Sequence, residues 1–128
     1  MEIIIDTNFL LTCLKQKIDL FLELERLFGM YQIVIPSRVL IELETLKYRK
    51  ELSVKDREAA SLALQVIEKN RKKINIIELN GGADRSIVNY SLSNPGVIMA
   101  SLDRGMKKHV KGKAKMLTIR GKNRLAVI

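Results

Sequence analysis

The chain has 128 residues, of which 47% are apolar, with one cysteine and a formal net charge of +9. That is enough apolar content for one hydrophobic core and too little chain for two, so we expect a single domain over residues 1–128. No apolar run approaches the roughly 20 residues that cross a bilayer, and the first residues lack the order of a signal peptide, so we expect a cytoplasmic protein without membrane contact.

The positive charge is concentrated near the C-terminus. Residues 1–103 contain 14 Lys and Arg against 14 Asp and Glu, whereas residues 104–128, the basic block, contain 9 Lys and Arg and no acid. Such a block is either a solvated face or a surface for an anionic polymer, because cation–phosphate contacts release condensed counterions. Aromatic residues are scarce there, so RNA would be contacted mainly through its phosphates. The predicted contacts are Arg104, Lys107, Lys108, Lys111, Lys113 and Arg120.

In chain order, short apolar runs alternate with longer amphipathic ones. The first half predicts a strand at 2–5, helices at 7–16 and 19–29, a strand at 31–35, and a helix that Pro36 opens and Ser37 caps. The second half predicts a helix at 53–73, a strand at 74–79, a helix at about 84–92, a strand at 97–101, a short helix at 103–110 and a strand at 115–119.

Short strands separated by helices predict a parallel sheet covered on both faces. The expected fold class is α/β, a three-layer α/β/α sandwich with a central parallel sheet of about five strands. The lone Cys13 has no partner for a disulfide or a zinc site and is expected in the core. The solitary His109 lies among lysines and is expected on the surface.

Three aspartates follow predicted strands: Asp6 the first, Asp84 the third across a glycine turn, and Asp103 the fourth. The carboxyl ends of parallel strands meet at one edge of a sheet, where crevices form between diverging connections. Each aspartate also lies at a predicted helix start, so helix capping is the competing explanation for each one alone. Their joint placement favours a shared site.

Glu42 lies inside a predicted helix, where no cap is needed. At 100° per residue it falls on the same side as Val39 and Leu46, while Glu44 turns away; an ordinary exposed glutamate is the alternative. Carboxylates brought within a few ångströms repel one another until a proton or a cation relieves the repulsion. Oxygen ligands favour Mg²⁺ or Mn²⁺, and the sequence offers no His or Cys set for zinc.

An acidic metal site beside a basic surface suits phosphodiester hydrolysis. The predicted catalytic residues and metal ligands are Asp6, Glu42, Asp84 and Asp103. Thr7, Asn8 and Ser101 are predicted to orient the carboxylates and water by hydrogen bonds. Polar residues at a helix start are the alternative explanation for Thr7 and Asn8.

Four segments in this order resemble the motifs of the PIN-domain family over nearly the whole chain. They are IIIDTNFLL, IPSRVLIELETL, GGADRSIVNYS and VIMASLDRGMKKHV, and the resemblance selects Asp6, Glu42, Asp84 and Asp103. Two positions depart from the family pattern: Ser101 replaces the commoner threonine and keeps its hydroxyl, and Met106 replaces a leucine. Neither departure removes an acid.

The resemblance implies an Mg²⁺- or Mn²⁺-dependent ribonuclease, either a toxin with a cognate antitoxin protein or a ribosomal-RNA processing factor of archaeal type. It also implies RNA, the ribosome or its precursor RNA as partners, and dimers among relatives. The alternative is a non-catalytic RNA-binding or ribosome-assembly module with the same fold. A receiver-like signalling domain would need an aspartate after a middle strand, and YQIVIPS supplies none.

Overall fold

The computed structural model describes the backbone of residues 1–128 and every side chain except that of residue 83. The strands are β1 (Glu2–Ile5), β2 (Gln32–Pro36), β3 (Ile74–Ile77), β4 (Ile98–Ala100), β5 (Lys115–Arg120) and β6 (Arg124–Val127). The helices are α1 (Thr7–Lys15), α2 (Leu20–Phe28), α3 (Ser37–Tyr48), α4 (Val54–Lys69), α5 (Ala83–Ser93) and α6 (Arg104–Val110), with a 3₁₀ turn at Arg71–Lys73.

The six strands form one sheet in the order β3-β2-β1-β4-β5-β6. All neighbours are parallel except β5 and β6, which are antiparallel. The strand order reverses between β1 and β4, so the connections that leave these two strands diverge and open a crevice at their carboxyl ends. This is the edge at which Asp6 and Ser101 emerge, one residue beyond β1 and β4 respectively.

Successive residues of β1 enter different cores because side chains alternate across a strand. Ile3 and Ile5 pack into the larger core with residues of the helices α1 to α4, while Ile4 packs into the smaller core with residues of α5 and α6. All three isoleucines are fully buried, and each contributes about 1.5–3 kcal/mol through removal of its surface from water. The predicted α/β/α sandwich is therefore confirmed, with Cys13 in the larger core.

Side chains close the N-terminal ends of four helices. Asp6, Asp19, Ser53 and Asp103 each accept a hydrogen bond from a backbone N–H group in the first turn of α1, α2, α4 and α6. The predicted Ser37 cap is wrong, because Ser37 is already the first helical residue of α3 and Pro36 occupies the cap position without a side-chain bond. Proline has no side-chain acceptor, so the first turn of α3 is left without such a cap.

The structure adds a sixth strand to the predicted five. After β5, Gly121 adopts a φ of 68° that favours glycine, and the chain turns back as β6. The predicted helix at 53–73 ends earlier, at Lys69, and the predicted strand at 74–79 ends at Ile77. Within the described part of the chain, no helix has the length and apolar character needed to cross a membrane.

Candidate active site

Asp6 lies at the centre of the site and is held from two directions. It follows the buried strand β1, and its Oδ1 accepts a 2.8 Å hydrogen bond from the backbone N–H of Phe9 in α1. Its Oδ2 accepts a 2.5 Å hydrogen bond from the hydroxyl of Ser101, which follows β4. Only 8% of Asp6 is exposed. The carboxylate is therefore fixed by bonds from both sides of the crevice.

Burial raises the pKa of Asp6 above its ordinary value, because removal from water disfavours the charged form. The hydrogen bonds from Ser101 and Phe9 oppose this rise in pKa, while the negative charges of Asp84 and Asp103 add to it. Two further carboxylates thus lie close enough to repel the charge on Asp6. Asp84 and Asp103, which were predicted to lie near Asp6 at this edge of the sheet, therefore act on Asp6 through their charges.

Ser101 also connects Asp6 to Asp103. The Ser101 hydroxyl oxygen accepts a 3.1 Å hydrogen bond from the backbone N–H of Asp103. Asp103 in turn starts α6, where its Oδ1 accepts bonds of 2.7 and 3.2 Å from the N–H groups of Gly105 and Met106. A Cβ atom at position 105 would lie 3.1 Å from this oxygen, so glycine leaves room for the bond.

A small cleft opens above Asp6, and we call it the first cleft. It has a volume of about 60 Å³, which leaves room for several water molecules or a small ion. Three carboxylates line it, those of Asp6, Glu42 and Asp84. The other lining residues are Thr7, Asn8, Pro36, Arg38, Val39, Leu79, Ser86 and Ile87.

A wider second cleft adjoins the first one at Asp84, which lines both. Asp103 lines the second cleft together with the basic or titratable side chains of Arg85, His109 and Lys113. The acids thus divide into two overlapping groups. Glu42 lines the first cleft and Asp103 the second, so neither cleft is lined by all four acids.

Among the described residues, no group of three Asp, Glu, His or Cys side chains is spaced to hold one metal ion. Both Asp6 oxygens and the Oδ1 of Asp103 accept hydrogen bonds from other groups. The donor chemistry still suits a hard cation, since every acid offers oxygen. Their assignment as metal ligands stays a prediction.

The remaining predicted site residues lie as follows. Thr7 is 7% exposed and Ser101 is 1% exposed, and Asn8 is exposed at the first cleft. The predicted phosphate contacts are all exposed, and they lie on α6, in the turn after it and at the end of β5: Arg104, Lys107, Lys108, Lys111, Lys113 and Arg120. Their role in RNA binding stays a prediction, and His109 is exposed as expected.

Sequence reasoning missed Arg38. This exposed residue lies in the first turn of α3 and lines the first cleft. A signal was present, because Arg38 stands four residues before Glu42 and shares its helical face, directly after a strand that ends at the same edge of the sheet.

Comparison with known proteins identifies the family of this chain. Residues 3–122 match the model of the PIN like domain family. The chain is 38% identical over 108 residues to the ribonuclease VapC4 of Methanocaldococcus jannaschii, covering 84% of this chain and 80% of that protein. The solved structure of the PIN domain endonuclease Utp24 superimposes with a TM-score of 0.76 at 25% identity, covering 98% of this chain and 90% of Utp24. The chain therefore belongs to the PIN-domain family.

Proposed function

We propose that this protein is an endoribonuclease that hydrolyses RNA phosphodiester bonds with Mg²⁺ or Mn²⁺. The observation that carries the proposal is the buried carboxylate of Asp6, fixed by Ser101 and close enough to Asp84 and Asp103 for their charges to act on it. Similarity to a protein named as a ribonuclease and to a protein named as an endonuclease supports the same reaction.

The acids fit a magnesium-like ion that keeps part of its water shell. Mg²⁺ dehydrates reluctantly and is commonly held by one or two protein carboxylates together with waters and substrate phosphates. Acids that lie too far apart for three of them to bind one ion are compatible with this mode of binding. Asp6 and Asp84, which both line the first cleft, are the residues we propose to hold it, with Glu42 and Asp103 on either side.

In the proposed reaction, the oxygen of a water molecule bonds to phosphorus while the bond from phosphorus to the leaving ribose oxygen breaks. The leaving oxygen keeps the electron pair and takes one proton, and the new phosphate monoester releases the other. A bound divalent ion would supply a more acidic water and neutralise growing negative charge. The protein's own share is to orient: Ser101 and the Phe9 N–H hold Asp6, and Thr7 and Asn8 line the same cleft.

The basic block is proposed to hold the RNA backbone beside the acids. Helix α6 begins at the Asp103 cap and carries exposed Arg104, Lys107 and Lys108. Phosphates bound along this helix would bring an adjacent phosphodiester to the clefts at its N-terminal end. In this proposal, the lysines and arginines supply the affinity for RNA and the acids supply the chemistry.

The deciding experiment compares Asp6→Asn with a matched control, Asp19→Asn. Both aspartates cap a helix by accepting a bond from a backbone N–H, and asparagine caps as well as aspartate does. The purified variants would be incubated with a varied RNA set plus Mg²⁺ or Mn²⁺, and the RNA ends would be sequenced. We expect Asp6→Asn to lose cleavage and retain RNA binding, while Asp19→Asn cleaves as the wild type does.

Two results would refute the proposal. One is a wild-type protein that cleaves none of the RNAs with either ion. The other is an Asp6→Asn protein that cuts at the wild-type rate, because the carboxylate would then have no part in the reaction.

A non-catalytic RNA-binding module is the second candidate, and the absence of a three-acid metal cluster among the described residues favours it. Calorimetric titration of Mn²⁺ into the wild type and into Asp84→Asn distinguishes the two. An enzyme of the proposed kind binds the ion and loses affinity in the variant. A scaffold without a metal role shows no binding in either protein.

For the biological role, we propose a cytoplasmic toxin-type ribonuclease, supported by similarity to VapC4, with an antitoxin protein as partner. Induced expression of the wild type is expected to arrest growth of a host cell, and Asp6→Asn is expected not to. Accumulation of unprocessed ribosomal RNA ends in cells carrying Asp6→Asn in place of the native protein would instead support the processing role.

A further inference from the structure

We propose that Arg38 binds the phosphodiester that is cut and stabilises the negative charge that grows on it during hydrolysis. This inference rests on the proposed ribonuclease function. It assigns a substrate-contacting role to a residue outside the set of acids.

The position of Arg38 places a cation inside an acidic cleft. Strand β2 ends at Pro36, and Arg38 follows in the first turn of α3 at the carboxyl edge of the sheet. Arg38 lines the first cleft with Asp6, Glu42 and Asp84, and among the described residues that line this cleft it is the one cationic side chain. A phosphate entering the cleft would meet three repelling carboxylates and this one attracting group.

The guanidinium of Arg38 is not neutralised by those neighbours. In the part of the chain that the structure describes, ion pairs form at Arg26, Arg49 and Arg71, whereas Arg38 has no carboxylate within pairing distance. This holds although Glu42 stands one helical turn away, where an ion pair is ordinarily favourable. Its five N–H donors are thus open to an anion that arrives from outside.

The start of α3 adds to the positive field around Arg38. No side chain caps this helix and no acid lies in its first turn, so its N-terminal N–H groups keep their partial positive charge. The preceding helix α2 differs on both points, with Asp19 as its cap and Glu23 in its first turn. A guanidinium beside such a helix end favours an anion.

The basic block and Arg38 are expected to affect different kinetic constants. The exposed lysines of the basic block contact phosphates equally in the bound substrate and in the transition state, so they set affinity. A planar guanidinium that grips two phosphate oxygens interacts more strongly as charge accumulates on those oxygens. Loss of Arg38 should therefore lower kcat far more than it raises KM.

The test uses the full chain with a short fluorescent RNA that the wild type cuts, in Mg²⁺ or Mn²⁺. We compare Arg38→Ala, Arg38→Lys and the control Arg49→Ala, which removes an exposed arginine from the opposite end of α3. The expected result is a fall in kcat of about 100-fold for Arg38→Ala, with KM changed by less than about threefold. Arg38→Lys should recover part of the rate, and free guanidinium ion should raise the rate of Arg38→Ala alone.

A second measurement needs no metal and no turnover. Inorganic phosphate is titrated into the metal-free protein while the arginine Nε–H resonances are followed by NMR. We expect the Arg38 resonance to shift with saturation and the Arg49 resonance to stay in place. If Arg38→Ala proves unfolded, the Arg38→Lys kinetics and this titration decide.

The inference is overturned if Arg38→Ala cuts RNA with wild-type kcat, if its loss appears only in KM, or if phosphate leaves the Arg38 resonance unmoved. Failure of the parent proposal looks different. In that case the wild type itself cuts nothing, whatever occupies position 38.

Discussion

The Ser101 hydroxyl donates a 2.5 Å hydrogen bond to Oδ2 of Asp6 across 95 residues of sequence. The bond joins the ends of β1 and β4 at the point where the strand order of the sheet reverses. It also lowers the pKa of Asp6 against the stronger effect of burial. One hydroxyl thus both positions the central carboxylate and favours its ionised form.

Ser101→Ala should make the carboxylate harder to ionise. With the donor gone, the pKa of Asp6 rises further, so the acidic limb of the pH–rate profile of RNA cleavage moves to higher pH. Ser101→Thr keeps the hydroxyl and should restore the wild-type profile. An unchanged acidic limb in Ser101→Ala, measured over pH 5 to 8, would show that this bond does not control Asp6.

Asp6→Asn should fold more stably than the wild type while losing activity. The folded-state pKa of Asp6 is raised by burial, so the stability that its protonated form contributes is present below the unfolded pKa and lost as pH rises through the folded pKa. Asparagine is neutral throughout. The stability gain of the variant should therefore grow as the pH rises above about 4, the ordinary value for aspartate.

Thermal unfolding followed by circular dichroism at several pH values checks this gain. We expect the Tm of Asp6→Asn to exceed that of the wild type by a few degrees at pH 7 and to match it near pH 3. Asp19→Asn, at an exposed cap, is the control. A variant less stable than the wild type at pH 7 would contradict the expected cost of the buried charge.

Glu23 and Arg26 of α2 close the free edge of β6. Glu23 Oε1 accepts 2.9 Å and 3.0 Å bonds from the Leu125 N–H and from Arg26, and Arg26 donates a 3.0 Å bond to the Leu125 carbonyl oxygen. Side chains thus take the place of a further strand at an edge that would otherwise invite aggregation. The bonds from Arg26 and from the Leu125 N–H lower the pKa of Glu23.

Glu23→Gln should destabilise the protein in a pH-dependent way. A lowered folded-state pKa means that the contribution is present above the unfolded pKa and lost as pH falls through the folded pKa. The Tm deficit should be larger at pH 7 than at pH 3, with exposed Glu25→Gln as the control on the same helix. Equal deficits at both pH values would mean that the charge of Glu23 is not what matters.

Lys107→Ala with Lys108→Ala should weaken RNA binding without touching the acids. If each lysine contacts one phosphate, the slope of log affinity against log salt should fall by about 1.4 for single-stranded RNA. Fluorescence anisotropy with Asp6→Asn as the background avoids cleavage during the measurement. Lys55→Ala with Lys72→Ala is the control, because it removes two exposed lysines outside the basic block. An equal fall in the slope there would mean that net charge alone causes the effect.

Cys13 should be chemically inert in the folded protein. It is 1% exposed, and burial raises the pKa of its thiol to about 12, so almost no thiolate forms at pH 8. Ellman's reagent should react at least 100-fold more slowly with the native chain than with the chain in 6 M guanidinium chloride. Because the sequence holds one cysteine, the signal has a single source, and rapid native reaction would disprove its burial.

Much of the architecture follows from local patterns in the sequence. Short apolar runs such as that of β1 have no helical periodicity, and their spacing by amphipathic helices requires crossovers between parallel strands. An aspartate placed after the first and fourth strands must then reach the carboxyl edge. That is why Asp6 and Asp103 were predictable as neighbours from the chain alone. The burial of Cys13 was predictable for a different reason, because a lone cysteine without a disulfide or metal partner behaves as a small apolar residue.

Tertiary structure decided the rest. The residues of strand β6 show no strong apolar alternation, so the strand forms through its pairing with β5. It is also held by Glu23, which bonds the N–H of Leu125 from 102 residues away. The division of the acids into two clefts and the entry of Arg38 into the first cleft depend on how α3 and α5 pack against the sheet. Sequence spacing determines which edge a side chain reaches, but distances across that edge are determined by packing between elements that are remote in the chain.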